Sequence, residues 1–394
     1  MAVELITLDK LYLRGKRVFV RVDYNVVENG KIIDDFRIEA SLTTLQYLLK
    51  QDCALVLASH NGRPNGKPNK SLSLQPVARR LAQLLRREVV FMHDCVGKQV
   101  KAEATALRAG DIMMLENLRF HPGEEKDSAE FAKDLASLAE AYVDDAFANI
   151  HRAHASMVGV PKLLPHAAGK LVATEYKTLH HMLTKPTRPF TAVIGGVKVS
   201  DKIDVLYGLL DIVDNLLIGG AMANTFLAAA GNNMRASVVE KDHLRDANYI
   251  VEKAKQKGVK LYLPKDLVVA HSMQRGAAKH TVDVGSVRDG EAAYDLGDAT
   301  MKGFSKVIKV SKTVFWNGTL GMAEIPDFAT ASQQLARAML SSGAETVVGG
   351  GDTASFVDAE KLHDKFDFVS TGGGATLELI AGKKLPALEI LFKK

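Results

Sequence analysis

Residues 54–64, Ala54-Leu55-Val56-Leu57-Ala58-Ser59-His60-Asn61-Gly62-Arg63-Pro64, decide the reading of the fold. Five apolar residues run without alternation and then stop abruptly in polar and basic ones. A strand of a parallel sheet has that character, because helices cover both faces and leave no solvent side to mark with polar residues. Ser71–Arg87 follows with helical periodicity: Val77, Leu81, Leu84 and Leu85 fall on one face, Ser73 is the expected N-cap, and Pro76 lies in the first turn. Ile112–Leu115 is then apolar again. Strand, helix and strand in that order ask for a parallel pair, which needs a crossover connection.

The same alternation extends in both directions. Val18–Val22 and Ala141–Val143 read as further strands of the first half, and Ala192–Ile194, Leu216–Ile218, Lys260–Leu263, Thr346–Val348 and Phe366–Val369 as strands of the second. The predicted class is α/β, with parallel sheets flanked by helices. A chain of 394 residues exceeds one comfortable core. Leu171–Leu183 looks helical and is stopped by Lys185-Pro186-Thr187-Arg188-Pro189, which places a boundary between two domains there.

Composition narrows the partners. Lys+Arg 51 against Asp+Glu 46 gives only +5, spread over both halves with no basic tail. That balance argues against nucleic acid and fits a small anion, which needs a few positive charges gathered in one cleft. Cys53 and Cys95 form neither a zinc site by themselves nor a disulfide framework, and read as reduced, buried thiols of a cytoplasmic protein. The opening MAVELITLDK lacks the pattern of a signal peptide. No apolar run approaches the ~20 residues that span a bilayer, so no membrane partner is expected.

Ligands of open parallel sheets bind beyond the carboxyl ends of the strands, and the two halves differ there. In the first half the strands end in charge: Arg21, Asp23 and Asn25; His60 and Arg63; Glu116 and Arg119; Asp144, Asp145 and then His151, Arg152 and His154. Arg37 lies in Asp34-Asp35-Phe36-Arg37. Arginine forks match phosphate and carboxylate oxygens, and their recurrence at successive strand ends reads as an anion pocket. His151-x-x-His154 offers no third metal ligand and fits anion contact or structure better.

In the second half the strands end in glycine: Gly195-Gly196-Val197-Lys198, Gly219-Gly220, Gly349-Gly350-Gly351-Asp352-Thr353 and Gly372-Gly373-Gly374. Glycine lets the backbone approach a phosphate, and the following helix offers free N–H groups. Neither G-x-x-x-x-G-K-[ST] nor G-x-G-x-x-G is present, so this is a nucleotide site of another design. Lys198 and Lys202, four apart, are expected to share one face of a helix start.

Together these segments resemble the phosphoglycerate kinase family. The matching runs are Arg21–Asn25, Ser59–Pro64, Leu115–Phe120, His151–Ser156, Gly195–Ile203, Trp316-Asn317-Gly318, Gly349–Ala354 and Thr371–Ala375, in order along essentially the whole chain. The resemblance implies two Rossmann-like domains facing a central cleft: 1–170 for phosphoglycerate, 171–185 as interdomain helix, 186–380 for nucleotide, and 381–394 returning to the first domain. It implies reversible transfer between 1,3-bisphosphoglycerate with MgADP and 3-phosphoglycerate with MgATP, by a monomer. By similarity, Arg21, Asp23, Asn25, Arg37, His60, Arg63, Arg119 and Arg152 bind phosphoglycerate. Lys198, Lys202, Asn317, Glu324, Gly350, Gly351, Asp352 and Thr353 bind nucleotide, with Asp352 on Mg²⁺.

The chain departs from the family pattern at Asn61 (usually Leu), Val197 (Ala), Thr319 (Pro), Met322-Ala323 (Val-Phe), Asp144 (Asn) and Ala148 (Gly). None of these removes a charged contact. The acceptor is a carboxylate, ionised at neutral pH without help, so no general base is expected. Catalysis then falls to positioning and charge stabilisation, by Arg37, Lys202 and the N–H groups at Gly372, Gly373 and Gly374, with hinge closure excluding water. Three rival readings are a kinase for another carboxylate, a non-catalytic nucleotide-binding scaffold and a dehydrogenase. The number of basic groups in the first half opposes the first, Lys202 with Asp352 opposes the second, and the missing dinucleotide fingerprint opposes the third.

Overall fold

The computed structural model describes residues 4–393 and divides into two compact units. One is Met1–Lys177 together with Lys384–Lys394, the other Thr178–Lys383. The boundary by compactness falls inside the helix Lys170–Thr184, between the two edges that the sequence suggested.

The first unit is built on a six-stranded sheet in the order Val90–Phe91, Ile112–Met114, Ala54–Ala58, Arg17–Val22, Ala141–Asp145, His166–Ala168, every pairing parallel. Its pleat sends alternate residues to opposite faces. Val18, Val20, Val22, Leu55 and Leu57 enter one buried cluster, while Phe19, Val56, Ala58 and Met113 enter another. Both faces are therefore filled, which is why these strands show no polar alternation. Ala387 N–H donates to Ile150 O at 3.1 Å and Ile6 N–H to Leu391 O at 2.7 Å, tying the C-terminal segment to this unit.

The second unit repeats the plan with the order Lys260–Tyr262, Asn215–Ile218, Phe190–Ile194, Thr313–Asn317, Glu345–Gly349, Phe368–Val369, again all parallel. In each sheet the chain starts in the middle, moves outward on one side and then crosses to the other. The crossing leaves a switch point beside Arg17–Val22 in one unit and between Phe190–Ile194 and Thr313–Asn317 in the other. Such points open a crevice at the carboxyl ends.

Four local readings need correction. The helix after Ala54–Ala58 is Gln75–Leu85, preceded by a separate turn at Lys70–Leu72, and its N-cap is Leu74 rather than Ser73. Ser73 Oγ still receives the Gln75 N–H at 3.2 Å, but it donates to Glu116 at 2.7 Å, so it ties helix to strand end. The strand expected over Phe366–Val369 is only Phe368–Val369. Lys198 and Lys202 do not share a helical turn, because helix begins only at Ile203 and Lys202 is its N-cap residue.

The fourth correction is an antiparallel sheet, Lys279–Asp283, Asp266–Ala270, Ala292–Leu296, that the sequence reading left out. The first of these strands, Lys-His-Thr-Val-Asp, is mostly exposed and carries almost no apolar signal.

Candidate active site

In the first unit the strand ends gather positive charge in a buried place. Arg21 is fully buried at the end of Arg17–Val22; its Nε donates to Ser156 Oγ at 2.9 Å and its Nη2 lies 3.3 Å from His60 Nδ1. A further donation from Nη1 to Val22 O fixes the fork. Ser156 Oγ in turn donates to Glu124 Oε1 at 2.6 Å, and Glu124 is also completely buried. Burial raises the Glu124 carboxyl above the usual range.

His60 is held well below its ordinary value, first by burial and then by the charges of Arg21, Arg119 and Arg152. Burial and the same arginines lower His154 to about 3. Both rings are thus neutral at physiological pH, and three guanidinium groups converge on them. Arg119 is itself lowered to about 10, mainly by burial. It donates to Gly62 O at 2.8 Å and lies 3.3 Å from Glu125, while its Nη2 is buried and makes no hydrogen bond. His154 Nδ1 is buried without a hydrogen bond as well. Orphaned buried donors are costly, so donors left open beside concentrated positive charge fit an anion that supplies the missing acceptors.

Asp23 Oδ2 accepts from Arg37 Nη1 at 2.8 Å, and its other oxygen lies 3.8 Å from His60 Nδ1. Asn25 Oδ1 accepts the Gly62 N–H at 2.8 Å. These bonds join the predicted Arg21, Asp23, Asn25, Arg37, His60 and Arg119 into one network, with Arg152 close enough to act on the histidines. Arg63 follows Gly62 on the same loop with its side chain exposed.

The second unit solves a similar problem with backbone. Lys202 Nζ donates to Gly195 O at 2.7 Å, to Asn317 Oδ1 at 2.6 Å and to Asn317 O at 3.3 Å. The ammonium therefore sits across the two strands that flank the switch point. Burial lowers it to about 8, against the opposing pull of Asp352 and Asp201. Asn317 Nδ2 donates to Gly349 O at 2.7 Å, and Thr353 Oγ1 accepts the Gly318 N–H at 2.7 Å. A Cβ on Gly318, at φ +90°, would stand 2.7 Å from Lys202 Nζ and 2.5 Å from the Gly195 carbonyl. One on Gly350, at φ +96°, would stand 2.4 Å from Asn317 Nδ2.

Around this centre, Gly351–Ala359 is a helix that begins just after Gly350 and carries Asp352 and Thr353 in its first turn. The exposed Lys198 lies on the loop ahead of Lys202, and Glu324 is exposed on a turn. Gly374–Ile380 is a short helix with Gly373 as its N-cap. The Gly372 N–H is committed to Ser370 Oγ at 3.0 Å, so it is not an open donor as the sequence reading supposed.

Sequence reasoning missed the groups that hold these residues in place. Glu124 and Ser156 brace Arg21 from elements more than a hundred residues away. Glu240 accepts the Ser200 N–H at 3.2 Å and Ser200 Oγ at 2.6 Å, and so anchors the loop between Lys198 and Lys202. No local pattern marks them, although Ser156 stands within a run matched to the family.

A fold that concentrates buried positive charge at one switch point and opens backbone around a lysine at another is built to handle phosphoryl groups, and its class is that of the small-molecule kinases. The phosphoglycerate kinase family profile matches residues 8–383, and the chain belongs to that family. It is 48% identical over 390 residues to the phosphoglycerate kinase of Moorella thermoacetica, covering 99% of each chain. It is 47% identical to that of Desulforudis audaxviator, covering 98% of each. Among solved structures, the phosphoglycerate kinase of Coxiella burnetii superposes with a TM-score of 0.88 at 39% identity, covering 98% of this chain and 99% of that one. That of Pyrococcus horikoshii gives 0.87 at 27%, covering 98% of both. The chain is accordingly a kinase that transfers a phosphoryl group reversibly between 1,3-bisphosphoglycerate with ADP and 3-phosphoglycerate with ATP. No helix among the described residues is long and apolar enough to cross a membrane.

Proposed function

We propose that the two substrates divide between the units: phosphoglycerate on the arginine network of the first, nucleotide on the lysine and glycine cradle of the second. The observation that carries the division is the buried Arg119 Nη2, a donor that makes no hydrogen bond, belongs to the first unit and calls for an anion there. In this reading Arg21, Arg37, Arg63, Arg119 and Arg152 hold phosphate and carboxylate oxygens, with His60, Asp23 and Asn25 fixing orientation. Lys198 and Lys202 neutralise the nucleotide phosphates. Gly350, Gly351 and Thr353 bring backbone close to them, Asn317 shapes the floor, and Glu324 reaches the ribose.

Asp352 is the group that would hold Mg²⁺. A single hard carboxylate on the first turn of a helix beside the phosphates fits a cation that takes one or two carboxylates and completes its shell with phosphate oxygens and water. When bound, the ion offsets negative charge on those phosphates. The protein's own contribution is positional. The attacking carboxylate is already ionised, so no side chain has to remove a proton. Arg37, Lys202 and the N–H groups of Gly373 and Gly374 stabilise the charge on the group in flight. In-line transfer requires the two ligands to meet, so a closing motion accompanies binding of both. The protein works as a monomer in the cytoplasm.

Calorimetry tests the division directly. Arg119→Ala is expected to abolish measurable 3-phosphoglycerate binding and leave MgADP affinity within twofold. Loss of both affinities, in a protein with an unchanged circular dichroism spectrum, contradicts it.

A further inference from the structure

Outside the substrate network, one group of side chains brings together three different metal-ligating chemistries. Asp94, Cys95 and His121 each offer one ligand atom, and the three atoms lie within 4.8 Å of one another. The geometry points to a binding site for a soft or borderline divalent cation of the Zn²⁺ or Co²⁺ type, held by Cys95 Sγ, His121 Nε2 and an Asp94 carboxylate oxygen.

The chain segments explain why the three converge. Asp94 and Cys95 follow the edge strand Val90–Phe91, and His121 follows the short turn Leu118–Phe120 beyond Ile112–Met114, its neighbour in the sheet. Cys95 Sγ reaches back to that second segment and donates to Glu116 O at 2.9 Å. Asp94 Oδ1 accepts from the Cys95 N–H at 2.6 Å and lies 2.7 Å from His121 Nε2. The His121 ring is held flat against Phe131, with centroids 4.9 Å apart and planes 22° from parallel.

Two features favour a cation over a plain structural hydrogen bond. His121 Nε2 is already turned to the Asp94 carboxylate, and the three residues offer ligand atoms within 4.8 Å of one another, so a metal can replace the proton shared between His121 and Asp94. The site is also accessible. Cys95 is buried, but the Asp94 side chain is 58% exposed and that of His121 28%. Asp94 moreover forms part of the wall of a groove of about 410 Å³. That leaves a fourth, solvent-facing position for water, the arrangement of a tetrahedral site with three protein ligands.

The donor set decides the metal. One sulfur, one imidazole and one carboxylate suit Zn²⁺ or Co²⁺, whereas Mg²⁺ demands oxygen. The site is therefore distinct from the position assigned to Asp352, in chemistry and in location on the other unit. On binding, the metal–sulfur bond forms as the Cys95 thiol releases its proton to solvent, and the metal–nitrogen bond forms as the proton between His121 Nε2 and Asp94 passes to solvent or is carried on His121 Nδ1, with no change in oxidation state.

Cobalt provides the test, because thiolate ligation gives a sulfur-to-cobalt charge-transfer band that other ligands do not. The chelator-treated full chain is titrated with Co²⁺ in the presence of excess Mg²⁺. One equivalent is expected to bind and to raise the band. Cys95→Ser is expected to lose the band, and Cys53→Ser to keep it. Asp94→Asn and His121→Gln, which leave the buried sulfur in place should Cys95→Ser misfold, are expected to weaken binding by more than the ~10-fold typical of an outer-shell partner. Absence of the band at millimolar Co²⁺, its persistence in Cys95→Ser, or unchanged affinity in both Asp94→Asn and His121→Gln overturns the assignment.

Discussion

The two units share a sheet plan and use it in opposite ways. The switch point of the first gathers side-chain charge: Arg21 is fully buried, Arg119 nearly so, and both act on a common histidine pair. At the switch point of the second, one ammonium is tied to carbonyl oxygens and an amide, and glycines clear the space around it. The first arrangement stores a high local charge, the feature on which its proposed anion site rests. The second holds a nearly satisfied lysine and offers backbone. Removing a charge should therefore hurt the first unit most, and adding a methyl group the second.

The largest expected effect separates them by chemistry. Arg37→Ala removes the partner of Asp23 and a charge assigned to the transferring group, so kcat is expected to fall about 10²–10³-fold while MgADP affinity is retained. Steady-state kinetics with calorimetry decides, and a near-normal kcat takes Arg37 out of the mechanism.

Next in size is Gly318→Ala. Its methyl would press on the Gly195 carbonyl and Lys202 Nζ in a backbone conformation that L residues rarely adopt. MgADP affinity is expected to drop about tenfold or more, with about 1–3 kcal/mol of stability lost, and 3-phosphoglycerate affinity untouched. Equal loss of both affinities would erase the contrast between the units.

Asn61→Ala is a smaller, structural probe. The Asn61 amide accepts the Val27 N–H at 3.0 Å and donates to Val27 O at 2.9 Å, acting as a substitute strand partner beside His60. Its loss is expected to cost about 1–3 kcal/mol, read by urea denaturation, with a weaker 3-phosphoglycerate affinity. An unchanged midpoint would mean that solvent replaces those bonds.

The smallest effects are in pH. His154 stays neutral in the fold down to about 3, whereas an unfolded chain protonates it near 6.5. Its contribution to stability is therefore complete above pH 6.5 and fades as pH falls towards 3. His60 acts in the same sense. In the second unit, ligand-free Lys202 loses its proton near pH 8, so MgADP affinity is expected to decline above that pH, with a slope that Lys202→Met lacks. A slope that survives in Lys202→Met assigns the titration elsewhere.

These differences also explain what the sequence made legible. Parallel strands buried on both faces announce themselves as unbroken apolar runs, so Ala54–Ala58 was readable to the residue and its neighbours nearly so. Strand ends were readable because charge or glycine replaces the run at a fixed place. The Lys279–Asp283 edge was not, since an exposed, charged strand has no apolar signature. Nor could spacing reveal that Lys198 and Lys202 lie ahead of their helix, because Glu240, some forty residues on, holds that loop out of helical geometry. The braces Glu124 and Ser156 escaped for the same reason: their roles depend on contacts that only the folded chain creates.

The central claim is that Lys202, seated at the second unit's switch point, is required for phosphoryl transfer onto a carboxylate. It is tested by ADP formation from 3-phosphoglycerate and MgATP, with hydroxylamine trapping the acyl phosphate, in the native chain and in Lys202→Ala. Turnover in the former and its disappearance in a folded Lys202→Ala protein is the expected result. Turnover that survives the substitution, or none in the native chain while both ligands still bind, would contradict the account.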